Sequence, residues 1–533
     1  MPPSQVPWAR NYMYFLACIC CCCCASSGSS YFAASVMHFP LNLTSNISIA
    51  EKIRLNLAAY DQHVANAAAQ NAQIIVFPES GTGYLAGGDS EIRSWCEPMP
   101  APGWRAVDCS NASTTTPPAF RHMQHAYWAS CAAQTYKIDI VLNFGYHQTT
   151  TNEYFNSDVA FNQYGFLLAI YLKSHINARP YLTQPAKPDP VTFVSSFGVQ
   201  FGMFTCYDMW FHDPMDEEIR LLNVTDFVYP NGMGSMAPLM TIDQVHAGWS
   251  LTHDVNLVSA ALFPTGGAGA FHRGNALGMN AYQPYVNAVY SVTVTEVPMI
   301  TNSDGRMKDH RSKKLAQPSN VKTPVLSESQ SSSSGSHASC FGGMASCDVF
   351  QPAPNSTFYL SASFQGAFAL VSCTATVTTA SNSSHVWMLA AGQVDMVPQS
   401  NGTLDANEVA FCLIVHCDDP QANCDLGAPV PAYWTSDLLV TNVAVEGEVS
   451  GGMNRSSKIT FFPMYAFLNT TAVSSDTPFP QVMATTASVT AGVSPATSQT
   501  NDTVAYFLTI TPNDDVVTEN PVYSVGLYLT AKG

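Results

Sequence analysis

From Tyr31 to about Thr295, short β-branched runs alternate with longer stretches of helical periodicity, and this alternation limits the fold most. Ile74-Ile75-Val76-Phe77 is a strand that stops at Pro78, preceded by Ile53 to Gln70, where apolar residues and alanines recur at helical spacing. Similar units follow. Lys137 to Phe144 reads as a strand, Val159 to Tyr171 as a hairpin turning at Asn162-Gln163-Tyr164-Gly165, and Val199 to Thr205 as a strand running into Cys206. Asp216 to Leu222 and Ile242 to Asp254 read as helices, with strands at Asp226 to Tyr229 and Leu257 to Leu262. Strands separated by helices predict an α/β layered domain, over residues 31–305, with functional side chains where strands end.

The pattern breaks after that. Arg306, Lys308, Arg311, Lys313 and Lys314 make a basic patch, and a serine-rich run follows it, so residues 306–346 read as an exposed linker. Residues 347–533 are rich in Thr, Val, Ser and aromatics, with alternating runs such as Phe358 to Ala362, Ala369 to Thr376, Val409 to Val415 and Tyr506 to Ile510. Short strands at close spacing predict a smaller all-β domain of sandwich type. Two domains also suit a chain of 533 residues.

Composition narrows the function classes. Hydrophobic residues make up 47% of the chain and charged ones only 11%, which suits packed cores rather than disorder. Acidic side chains outnumber basic ones 38 to 21, for a net charge of −17, so nucleic acid and anionic membrane surfaces would be repelled.

Residues 1–30 read as a secretory signal peptide. Arg10 precedes an apolar run from Tyr12 to Ala25, too short to span a bilayer comfortably, and small residues follow it from Ser26 to Ser30. A palmitoylated anchor through Cys18 and Cys20 to Cys24 is the alternative. Tyr523 to Gly533 shows no hydrophobic tail, and no stable membrane anchor is expected. Ten sequons, at Asn42, Asn46, Asn111, Asn223, Asn355, Asn382, Asn401, Asn454, Asn469 and Asn501, fit a glycosylated product, secreted or lumenal. Without the signal, ten of the 16 cysteines remain, and in an oxidising compartment most should pair. The sequence neighbours Cys96 with Cys109, Cys340 with Cys347 and Cys417 with Cys424 are plausible partners, with the connectivity left open by the sequence. A reduced Cys206 would leave nine, so at least one more thiol is unpaired in a monomer, Cys131 being the candidate.

Three strand ends carry reactive side chains: Glu79 after Val76-Phe77-Pro78, Lys173 after Tyr171-Leu172, and Cys206 after Gly202-Met203-Phe204-Thr205. A thiol needs a base to become a strong nucleophile, and an anionic tetrahedral intermediate needs a fixed positive charge or donors beside it. Carboxylate, ammonium and thiol supply those three needs. Taken singly, each is more often a capping, solvated or buried side chain.

In this order and context the chain resembles the carbon–nitrogen hydrolase (nitrilase) superfamily, and within it the branch of vanins (pantetheinases) and biotinidase. The resemblance extends through Gly202 to Pro214, ending in Phe-His-Asp-Pro, and to the approach Ala69 to Val76; more loosely, Phe411-Cys412 through Cys417 to Cys424 is similar to that branch's C-terminal cysteine pattern. It implies a nitrilase-like α-β-β-α sandwich followed by a vanin-like β-rich domain. It also implies Cys206 as nucleophile, Glu79 as general base and later acid, Lys173 as stabiliser of the tetrahedral intermediate, and no metal or organic cofactor. The substrate would be a small linear amide such as pantetheine or biocytin.

Two departures bear on the pocket. Where many superfamily members carry a second carboxylate, this chain reads Gly145-Tyr146-His147, with Glu153 the nearest acid; where vanins place a Trp, it has Met233, a candidate substrate-binding residue. An inactive relative that binds a ligand through the same pocket is the reading from another class. No G-x-S-x-G elbow supports a serine hydrolase, and His212, six residues from Cys206, lacks a papain-like context and reads as structural.

Overall fold

The computed structural model describes residues 30–300 apart from 42–46, 84–88, 110–115, 177–180, 235–241, 263–266 and 280–290, and beyond them mainly the strands between 338 and 531. The first domain runs β1 (Ser30–Met37), α1 (Ile49–Ala69), β2 (Ile74–Val76), α2 (Asp89–Trp95), α3 (Gln124–Tyr136), β3 (Asp139–Gln148), β4 (Glu153–Phe161), β5 (Leu167–Leu172), β6 (Thr192–Val194) and β7 (Gln200–Met203). It continues with α4 (Met215–Arg220), β8 (Asp226–Asn231), α5 (Ile242–His253), β9 (Asn256–Ala261), β10 (Gly269–His272), β11 (Asn275–Met279) and β12 (Ser291–Pro298). The strands form two leaves, β5-β4-β3-β2-β1-β12 and β6-β7-β8-β9-β10-β11, joined where Met37 pairs with Ala261.

Side-chain alternation decides which face of a leaf is covered. Ala34 and Val36 of β1, Ile75 of β2 and Ile140 and Leu142 of β3 pack with Leu57 and Val64 of α1 and Ala129 and Ala133 of α3. The opposite parity, Tyr31, Ala33, Ile74, Val76 and Val141, packs with Phe201, Met203 and Val228 of the second leaf, whose other face, at Phe227, meets Trp249 of α5. The order is thus helix, sheet, sheet, helix, the expected α-β-β-α sandwich.

Element ends differ from the periodicity reading for local reasons. α1 starts at Ile49, four residues before Ile53, because Ser48 caps it through Glu51 N–H. Lys137 is not in a strand: it closes α3 in the left-handed region (φ 58°), donating its N–H to Ala133 O, and β3 starts at Asp139. β7 ends at Met203, because Thr205 already caps the turn that carries Cys206.

Of the second unit, β13 (Ala338–Cys340), β14 (Ala345–Phe350), β15 (Ser356–Gln365), β16 (Leu370–Thr379), β17 (Val386–Asp395), β18 (Glu408–Cys417) and β19 (Val440–Ser450) come first. Then follow β20 (Ile459–Leu468), β21 (Val482–Met483), β22 (Ser488–Ser494), β23 (Thr503–Thr511) and β24 (Val522–Ala531). They make a seven-stranded sheet, β13-β14-β17-β18-β24-β20-β21, and a five-stranded one, β15-β16-β19-β23-β22. One apolar core continues from the leaves of the first domain into the seven-stranded sheet through Cys347, Met388, Ala390, Phe411 and Leu413. β13 falls within the stretch expected as linker; residues 306–337 lie outside the described residues. Among the described residues no helix is long and apolar enough to cross a membrane.

The cysteines correct two expectations. Cys340 pairs with Cys347 as expected, but Cys109 pairs with Cys131 rather than with Cys96. α3 presents Cys131 beside Ala106 and Tyr127, against the loop carrying Cys109, whereas Cys96 donates to Ile92 O and remains a thiol. The unpaired cysteine besides Cys206 is therefore Cys96 and not Cys131, among the described residues. Cys373 of β16 pairs with Cys412 of β18 and staples the two sheets together. Gly447, opposite Cys373, leaves room for it, since a Cβ there would meet Cys412 Sγ at 2.8 Å. Closing a loop of this length (sequence separation 39) is worth roughly 4 kcal/mol on the chain-entropy account. Changing both Cys373 and Cys412 to Ala is expected to lower the denaturation midpoint accordingly; an unchanged midpoint would show that the staple is energetically idle. Cys424 lies outside the described residues, so the expected Cys417–Cys424 pair does too.

His246 on α5 is fully buried, neither ring nitrogen has a partner, and burial pushes its pKa down to about 3. A histidine whose folded pKa lies below its unfolded value takes up its proton on unfolding, so its contribution is intact above about pH 6.5 and is lost as pH falls toward 3. By pH 5 this amounts to about 2 kcal/mol, and a His246→Phe variant is expected to lose less stability between pH 7 and 5 than the parent. Equal losses in thermal melts would refute it.

Candidate active site

β2 delivers Glu79. Phe77 N–H still pairs with Val141 O at 3.0 Å, and Pro78 then ends the strand, since it has no N–H to give. Ser80 turns the chain in the left-handed region (φ 57°), its N–H on Asn143 Oδ1 at 2.8 Å. Gly81 is obligatory in this turn because a Cβ would lie 1.9 Å from Tyr60 Oη. β5 delivers Lys173, whose N–H donates to Asn156 O at 2.9 Å and so extends the pairing with β4.

β7 delivers Cys206, the first residue of a short 3-10 turn, Cys206–Trp210. Thr205 and Asp208 cap that turn reciprocally: Asp208 N–H donates to the Thr205 side chain, and Thr205 N–H to Asp208 Oδ2 at 3.0 Å. Cys206 itself has φ 47°, a conformation that costs a side-chain-bearing residue about 1–2 kcal/mol. The cap and Tyr229, whose hydroxyl donates to Cys206 O at 2.6 Å, hold it there. Asp208 is the hub between the Cys206 turn and the Lys173 segment: Oδ2 also accepts from Tyr171 Oη at 2.7 Å, and Oδ1 from His175 N–H at 2.8 Å and its Nδ1 at 2.9 Å.

The three candidate residues meet between the leaves, all buried. Lys173 Nζ donates to Glu79 Oε1 at 2.6 Å, as does Asn156 Nδ2 at 2.7 Å. The Cys206 thiol lies against the Glu79 carboxylate and the Gly232 N–H, and both act on its ionisation. Burial pushes the Cys206 pKa well up and the Glu79 charge adds to this, while Lys173 and the Gly232 N–H pull it down. The resting thiol is therefore neutral and needs a base. Burial opposes the Lys173 ammonium, but the Glu79 charge, with Asp208 adding, outweighs it and raises the Lys173 pKa. Thiol, carboxylate and fixed cation thus stand in one dry site, which is what nucleophilic attack on a carbonyl requires.

Met233 follows Gly232 directly; its N–H donates to Asn231 Oδ1 at 2.8 Å and its Sδ accepts from Trp210 Nε1 at 3.3 Å. His147 and Glu153 are not brought to the triad. They sit at the β3–β4 hairpin tip, where the His147 ring stacks on Tyr154 and Nε2 meets Asn152 Oδ1. His212 faces Asp216. Sequence reading missed Gly232, Asp208, Tyr229, Asn143, Asn156 and Asp158. The last three did leave a signal: polar side chains that interrupt apolar strand runs, as Asn143 does between Leu142 and Phe144. Among the described residues no group of three or more His, Cys, Asp or Glu side chains could hold a metal ion.

Residues 45–217, which include all three, match the carbon–nitrogen hydrolase family model. The chain is 30% identical over 215 residues to a pantetheine hydrolase of Homo sapiens, covering 38% of this chain and 40% of that protein. It is 30% identical over 231 residues to a biotinidase of Bos taurus, covering 42% and 43%, and 29% identical over 290 residues to a vanin-like protein of Drosophila melanogaster, covering 51% and 49%. The matched region thus spans less than half the length of each of these relatives. Among solved structures, an amidase from Nesterenkonia sp. aligns with a TM-score of 0.37 at 16% identity, over 50% of this chain and 90% of that one. The matched domain and these relatives support a place for the chain in the carbon–nitrogen hydrolase (nitrilase) superfamily, on the branch of the vanins and biotinidase.

Proposed function

We propose that this protein is a secreted thiol amidohydrolase that cleaves a small linear secondary amide through a cysteine thioester, with pantetheine, giving pantothenate and cysteamine, as its leading substrate. The observation that carries the reading is the Cys206 thiol on a carboxylate, one of whose oxygens is claimed by Lys173. Glu79 takes the Cys206 proton, and the thiolate sulfur bonds to the amide carbonyl carbon. The oxyanion forms beside the Lys173 ammonium and the Gly232 N–H, whose positive ends are fixed before the charge develops. Glu79 passes its proton to the amide nitrogen, the C–N bond breaks and the amine departs. Water then gives a proton to Glu79 and its oxygen attacks the thioester; the C–S bond breaks and Cys206 regains the proton. No cofactor enters this sequence.

A glycosylated, secreted product is part of the proposal. Asn223 and Asn355 are exposed, as acceptors must be; the other eight sequons lie outside the described residues, as does the signal segment 1–29. The relatives named pantetheine hydrolase and biotinidase support both pantetheine and biocytin as substrates to try.

Amine release from the two, measured side by side with the secreted protein, tests the reading. Cysteamine alone makes it a pantetheinase with Met233 in the place of the vanin Trp, and lysine alone a biotinidase. Neither, from a protein whose Cys206 still reacts with electrophiles, points to another amide; neither, with Cys206 inert, leaves a ligand-binding relative and overturns the proposal.

A further inference from the structure

Beneath the triad a second carboxyl group, Asp158, is fully buried on β4 and takes no direct part in the chemistry above. Asp158 Oδ1 accepts from Asn143 Nδ2 at 2.7 Å, and Oδ2 accepts from the Thr205 hydroxyl. Asn143 Nδ2 also donates to Asn156 Oδ1 at 2.8 Å, and Asn156 Nδ2 donates to Glu79 Oε1.

The polarity of this chain follows from one bond. A backbone N–H can only donate, so Ser80 N–H fixes Asn143 Oδ1 as acceptor and turns Nδ2 toward Asn156 and Asp158. Asn156 must then accept on Oδ1 and present Nδ2 to Glu79. The result is a closed ring, Ser80, Asn143, Asn156 and Glu79, in which Oε1 is held by two donors and Oε2 is the oxygen nearest Gly232. Asp158 joins this ring to Thr205, whose peptide leads into the strained Cys206.

We infer that Asp158 is a positioning residue: through Asn143 and Asn156 on one side and Thr205 on the other, it sets the Glu79 carboxylate and the Cys206 thiol relative to each other. Burial raises the Asp158 pKa, with Thr205 and Asn143 opposing and the Glu79 and Asp208 charges adding. The groups facing it are Asn143 of β3, Thr205 after β7, and the charged Glu79 and Asp208.

The inference rests on Glu79 serving Cys206 as base, as in the proposed function. Its test reads that pair without an amide substrate: the rate of Cys206 alkylation by iodoacetamide from pH 6 to 9, in the full-length protein and in Asp158→Leu, Asp158→Asn and Thr205→Ser variants, each also melted. Asp158→Leu breaks both branches and is expected to slow alkylation tenfold or more at pH 7. An Asn side chain at 158 would keep its oxygen for Asn143 and turn its amide onto Thr205, which already accepts from Asp208 N–H; about threefold is expected. Thr205→Ser keeps the hydroxyl and should stay within twofold.

A purely electrostatic role predicts the opposite sign, since deleting a buried carboxyl eases thiol ionisation and speeds alkylation. Faster or unchanged alkylation in folded Asp158→Leu overturns the inference; if that variant does not fold, an unchanged rate in Asp158→Asn does so. If the parent alkylates rapidly but hydrolyses no amide, the functional reading fails while this comparison still stands.

Discussion

Replacing Cys206 by Ala is expected to lower amide turnover by roughly 10⁴-fold or more, the scale on which a covalent hydrolase loses activity with its nucleophile. The fold should persist. The thiol packs little apolar volume, its one side-chain partner is Glu79, and Glu79 keeps Lys173 and Asn156 when the sulfur is gone. Alanine in the left-handed region at 206 bears the same strain as cysteine, and the Thr205–Asp208 cap and the Tyr229 bond to the backbone remain. Thermal melts that nearly coincide, beside activity that does not, are the expected pair of results.

Replacing Lys173 by Met should act on stability as well as rate. The Lys173–Glu79 pair is buried from both sides, each side chain 5% exposed, and removing one partner leaves the other charge without compensation. Breaking a buried pair in this way typically costs about 3–5 kcal/mol. The Lys173→Met, Glu79→Gln double variant removes both charges and is expected to recover most of that loss while staying inactive. A Lys173→Met single variant as stable as the parent would show that water reaches Glu79 and that the site is not dry. Cys206 is thus expected to be dispensable for folding, whereas Glu79 and Lys173 are each other's structural partners.

How much of this was legible in the chain follows from how local each feature is. Glu79, Lys173 and Cys206 each end an apolar run, a pattern carried by consecutive residues, so their positions could be read directly. The α/β layering was legible for the same reason, as alternation of short and long periodic segments, whereas the sandwich of two sheets was implied by the family resemblance. What could not be read depends on register between strands distant in sequence. Asn143 stands opposite Asp158 only because β3 and β4 pair as they do, and Thr205 reaches Asp158 only because the two leaves face each other. Cys131 likewise meets Cys109 by the rotation of α3, which overrides the shorter sequence distance from Cys96. Sequence proximity is a fair guide to a tight turn such as Cys340–Cys347, and a poor one across a helix.

We propose that substrate choice sits with the positions where this chain leaves the vanin pattern. Met233 takes the place of a bulkier ring, with its sulfur on the Trp210 indole, and Gly232 beside it adds no side chain next to Glu79.

The most direct test of the central claim is to quench the protein with acid during turnover of pantetheine and map its peptides by mass. The account predicts a pantothenoyl adduct on the Cys206 peptide and on no other, absent in Cys206→Ala. Turnover with no acyl group on Cys206, or undiminished in the Cys206→Ala variant, would contradict it.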